Sequence, residues 1–91
     1  MTEETRLAML KIDLGITTKV YDSRLNQYLI RAKAEIEREG IKLSDSLDDS
    51  SLVIQYAAWM WRKRDTGEGM PRMLRWQMNN RLFAGEKKSN G

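Results

Sequence analysis

The sequence predicts an all-α fold: a small bundle of about four helices with a flexible C-terminal tail. Three observations point there. Apolar residues recur three and four positions apart, and nowhere is the alternation of a strand sustained. The apolar stretches are separated by short breaks that hold glycines and the single proline. The chain has 91 residues, 41% hydrophobic and 32% charged, a composition that suits one folded domain rather than a disordered segment. A chain this short buries only about two-thirds of its unfolded surface, which leaves apolar surface for a partner to cover.

The first helix is expected over 3–14. Leu7, Leu10 and Leu14 share one face, Thr2 stands at the N-cap, Glu3 and Glu4 suit the first turn, and Gly15 ends it. The loop "GITTKVYD" follows, with Ile16, Val20 and Tyr21 expected to tuck onto the core. The second helix, about 23–39, is capped by Asp22 or Ser23 and carries the stripe Leu25, Tyr28, Leu29, Ala32 and Ile36. Gly40 stops it, and Ile41 folds back as in a Schellman end. The third helix, about 48–64, has Ser46, Asp48 and Asp49 at its start and Arg62, Lys63 and Arg64 in its last turn. Between them "SLVIQYAAWMW" is apolar almost all round, the pattern of a buried helix, and Ala57 and Ala58 admit a close neighbour. After "DTGEG" the fourth helix starts at Pro71, a favoured first position, and runs to about Phe83. Gly85 closes it. Residues 1–85 form the domain, and 86–91 are expected to be a disordered polar tail.

Net charge is +3, and its distribution is uneven. Residues 1–61 hold 8 basic and 10 acidic side chains, a balance of −2, and residues 62–91 hold 8 and 3, a balance of +5. A basic end suits phosphates or an acidic protein surface. With no cysteine and no histidine, disulfides, thiolate metal sites and the commonest general base are excluded. Asp45, Asp48 and Asp49 are the one tight acidic group, and acids before a helix are ordinarily caps. "TGEG" lacks the length and the lysine of a phosphate-binding loop. No catalytic, cofactor or metal site is expected, and the protein is read as non-enzymatic. No signal-peptide pattern opens the chain and no apolar run nears about 18 residues, so no membrane association is expected.

Two surfaces compete for "TGEGMPRMLRWQMNNRLF", residues 66–83. Arg62, Lys63, Arg64, Arg72, Arg75 and Arg81, with Lys87 and Lys88, beside Trp59, Trp61 and Trp76 could grip phosphates or stack bases. Methionine, tryptophan and arginine are also the types enriched at protein interfaces. Met70, Met73, Leu74 and Met78 make one stripe of the fourth helix, and Trp76, Leu82 and Phe83 do not all fit it. A helix apolar on two sides has two surfaces to cover, one its own core and the other a partner. The protein interface is the preferred reading.

"YDSRLNQYLIRAKAEIEREGI" (21–41), with "SLVIQYAAWMWRKRDTGEGMPRMLRWQMNNRLF" (51–83), resembles the small head–tail connector proteins of long-tailed bacteriophages and prophages. The resemblance covers about 7–83, and the order and spacing of the "YAAWMWRKR" and "GMPRMLRWQMNNRLF" stretches carry it. It implies a small helical protein of the virion head–tail junction, in the host cytoplasm before assembly. It implies a homo-oligomeric ring of about twelve subunits, bound head to tail through heterologous interfaces. It implies partners in the portal protein and a downstream adaptor or tail protein, an extended DNA channel with weak non-specific DNA contact, and no enzymatic residues. The residues expected at subunit or portal contacts are Trp59, Trp61, Arg62, Arg64, Arg72, Met73, Arg75, Trp76, Arg81 and Phe83. The alternative is a small basic helical nucleic-acid-binding or DNA-packaging accessory protein.

Overall fold

The computed structural model describes the backbone of residues 1–90 and the side chains of residues 1–84. It has four helices: α1 (Glu3–Leu14), α2 (Asp22–Arg38), α3 (Leu47–Thr66) and α4 (Arg72–Asn90). No strand occurs among the described residues. The backbone of α4 continues through Gly85, where a stop was expected, to Asn90, since a glycine only weakens a helix by about 1 kcal/mol. The side chains of 85–91, which include the expected polar tail, lie outside the described residues.

Helix α3 is the axis of the bundle, with α1, α2 and α4 all packed on it. Its sequence requires this. Every residue from Leu52 to Trp61 is buried except Gln55, so apolar neighbours must cover nearly its whole circumference. Ala57 and Ala58 are 0% and 3% exposed, and their small side chains bring other helices close to the α3 backbone. Leu10 of α1, Leu25, Leu29, Ala32 and Ile36 of α2, and Leu74 and Met78 of α4 complete the core.

The helix ends follow the expected chemistry with one exception. Thr2 caps α1 and Ser46 caps α3, each hydroxyl accepting the backbone N–H three residues on. Helix α2 starts one residue earlier than expected. Tyr21 stands at its N-cap with no side-chain cap, and Asp22, expected as a cap, is its first helical residue. There Asp22 forms an ion pair with Lys11 of α1 at 2.7 Å, so the acid links two helices. At the end of α2, Gly40 adopts φ +99°, and Ile41 turns back into the core at 3% exposure.

Two expected burials do not occur. Val20 is 79% exposed, because the short α1–α2 loop turns it outward while Ile16 packs inward and Tyr21 is only half covered. Met73, assigned to the stripe with Leu74 and Met78, is 63% exposed. At 100° per residue, Met73 lies 100° from Leu74 and 140° from Met78, which puts it on the edge away from α3.

Candidate protein interface

The ten residues expected at contacts separate into three groups. Trp59 and Trp61 belong to the protein's own core. Trp59 donates its indole N–H to the carbonyls of Glu68 (3.3 Å) and Gly69 (3.1 Å), which ties the α3–α4 loop back onto α3. Its ring meets Tyr56 edge-on at 5.3 Å, and Lys63 lies over it. Trp61 meets Tyr21 and Tyr28 edge-on at 5.5 and 5.6 Å. These contacts seat both rings inside the monomer, and the Trp59 indole N–H is satisfied there.

Most of the arginines are partnered within the chain. Arg62 lies 3.5 Å from Glu68, and Arg64 lies 3.9 Å from Asp65 with its guanidinium 3.7 Å above the Trp61 ring. Arg75 reaches Glu39 at the end of α2, at 2.8 Å. Arg81 forms a fork on Asp49, 2.8 and 3.1 Å, and also donates to the Lys42 carbonyl. Arg72 is exposed at the start of α4. Two arginines of the C-terminal third are therefore paired with acids outside it, Glu39 and Asp49, and two with acids within it, Asp65 and Glu68.

Asp49 carries more than the helix-start role its position suggested. It is 3% exposed and accepts hydrogen bonds from the Ser44 backbone N–H (2.7 Å), the Ser44 hydroxyl (2.9 Å) and Arg81. Burial alone would push its pKa up. The bonds from Arg81 and Ser44, with the Arg81 charge, outweigh that and hold it below the ordinary carboxylate value. Asp49 thus fastens α4 to the α3 start and to the segment before it. Its partner lies 32 residues on, which no local pattern reveals.

Met73, Trp76 and Phe83 form the third group, 63%, 59% and 58% exposed. On α4, Met73, Trp76, Asn80 and Phe83 follow the i, i+3, i+7, i+10 spacing of a single face. Leu74, Met78 and Leu82 occupy the opposite side, toward α3 and the end of α2. Helix α4 therefore has two apolar faces, one buried against α3 and one on which Met73 and Trp76 remain largely exposed.

This second face borders a trough along α3. Asp48, Ser51, Gln55 and Arg62 mark the strip of α3 that no other helix covers. Two hollows of about 380 and 310 Å³ lie along it, and Gln55 lines both. Trp76, Gln77, Asn80 and Arg81 wall the first. Pro71, Met73 and Leu74 wall the second, with Asp13 of α1 opposite. Met9, 40% exposed, stands one turn before Asp13 on the same side of α1. At the α3 start, Leu47 adds a further exposed apolar side chain, 72%. Leu47 and Met9 were not picked out in the sequence, because each reads locally as part of a core stripe or a helix start.

Among the described residues no three or more acidic side chains gather as a metal site, and no helix is long and apolar enough to cross a membrane. The trough can hold an apolar segment against small polar groups. No protein-family model, curated protein or solved structure matches this chain.

Proposed function

We propose that this chain is a non-enzymatic structural protein of the phage head–tail junction. In this reading it is a small connector that docks on the portal and joins copies of itself into a ring that extends the DNA channel. The observation that carries the reading is the second apolar face of α4, with Met73, Trp76 and Phe83 standing exposed beside the trough on α3. A subunit held head to tail needs two different adhesive faces. The trough wall on α4 is one. A second lies on the outer side of α1 and α2, where Ile12 and Ile30 are 77% and 65% exposed. The internal pairing of Arg62, Arg75 and Arg81 weighs against the alternative of a DNA-binding accessory that grips phosphates through the C-terminal third.

Light scattering after size-exclusion chromatography, over a range of protein concentrations and with purified cognate portal protein, tests the proposal. A ring, or a monomer that co-elutes with portal, supports it. A monomer at every concentration that ignores portal would overturn it.

A further inference from the structure

We infer that a hollow on α2, outside the trough, binds the phosphodiester backbone of a nucleic acid. The hollow is open, about 480 Å³, and is lined by Val20, Ser23, Arg24, Gln27, Tyr28 and Arg31. It contains two guanidiniums and no carboxylate. Among the described residues neither Arg24 nor Arg31 forms an ion pair, in contrast to Arg62, Arg75 and Arg81. They stand seven residues apart on α2, two helical turns, so both project from one side about 10 Å apart along the axis.

An aromatic ring sets one of these cations in place: Arg31 lies over the Tyr28 ring at 5.8 Å. Tyr28 and Trp61 are themselves locked edge to face, with Tyr21 on the other flank. A guanidinium seated on a ring keeps its N–H edge free, and less side-chain freedom is lost when that edge meets an anion. The Ser23 and Tyr28 hydroxyls and the Gln27 amide add neutral donors to the same hollow. Two cations flanked by neutral donors suit the phosphates of one strand and read no base. The site needs neither the trough nor a ring, so it stands apart from the connector proposal.

Fluorescence anisotropy with a labelled 20-base-pair duplex, titrated across salt, tests the inference. With Arg24 and Arg31 each on a phosphate, the slope of log affinity against log salt is about −1.8, and affinity falls about 12-fold between about 50 and 200 mM salt. The double variant Arg24→Gln/Arg31→Gln should bring the slope close to about 0 and abolish the salt-dependent loss. Arg24→Gln alone, which disturbs no ring, should change the slope by about 0.9. Lys42→Gln removes the same charge beyond the far end of α2 and should leave the slope unchanged. No binding at about 50 mM salt, or a double variant with the wild-type slope, overturns the inference. Displacement by poly-glutamate as effective as by unlabelled duplex would also overturn it and assign the hollow to an acidic protein.

Discussion

Replacing Arg81 by Met separates the role of its charge from that of its stem. The methionine keeps much of the aliphatic packing against α3 and deletes the fork on Asp49 and the bond to the Lys42 carbonyl. Asp49, at 3% exposure, then retains only the two donors of Ser44. Breaking a fully buried ion pair costs about 3–5 kcal/mol. The Arg81 side chain is 26% exposed, so water partly screens the pair, and the loss expected is about 2–3 kcal/mol. A domain of this size has a total stability of about 5–14 kcal/mol. The melting temperature should therefore fall by about 10–20 °C. Urea unfolding of wild type, Arg81→Met, Asp49→Asn and the double variant gives the coupling directly.

The pH dependence has a definite sign. The folded Asp49 carboxyl titrates below its ordinary value, so the contribution is complete above that value and disappears as pH falls through the lower folded one. The gap between wild type and Arg81→Met should close below about pH 4. A gap under about 0.5 kcal/mol at pH 7, or one that persists undiminished in acid, would refute the assignment of Asp49–Arg81 as the fastening of α4.

Met73→Ser/Trp76→Ser removes apolar surface that this chain does not bury. Its unfolding free energy should move by no more than about 0.5 kcal/mol while ring formation or co-elution with portal is lost, as light scattering would show. Trp61→Ala empties a core site bounded by Tyr21 and Tyr28 and should cost about 3–5 kcal/mol, measured by thermal unfolding. Gly67→Ala places a Cβ at φ +67° with no steric contact within 4 Å, so backbone strain alone acts, about 1 kcal/mol in urea unfolding.

Much of the fold was legible because the signals were local. The leucine spacing of α1, the stripe of α2 and the all-round apolar α3 each demanded one arrangement, and Thr2, Gly15 and Ser46 marked ends that the structure confirms. The two-sidedness of α4 was legible too, but the division between its faces was not. Methionine favours neither face in sequence, and the position of Met73 was settled only when α4 docked through Leu74 and Met78. The arginines were the least legible. Their count suggested a basic surface, whereas their partners Glu39 and Asp49 lie 36 and 32 residues away and become visible only on folding. Burial also resisted sequence reading for the tryptophans. Trp59 and Trp61 are core and Trp76 is surface, although all three sit among similar neighbours in the chain.

The way α4 is attached bears on how a partner would act at the trough. Helix α4 rests on the bundle through Leu74, Met78 and Leu82, the Arg81 fork and the Arg75–Glu39 pair. It lacks the burial on several sides that holds α3. An element fixed by so few contacts opens at lower free energy than the rest of the bundle. A segment laid in the trough would touch Trp76, Asn80 and Arg81 on one wall and Asp48 and Gln55 on the floor. It would exclude water from the exposed quarter of Arg81, and the Asp49 pair would act in a lower dielectric. Occupation of the trough and closure of α4 on α3 are therefore coupled in the same direction. Hydrogen exchange of the α4 amides should slow when the trough is filled, and Arg81→Met should weaken that response as well as the free protein.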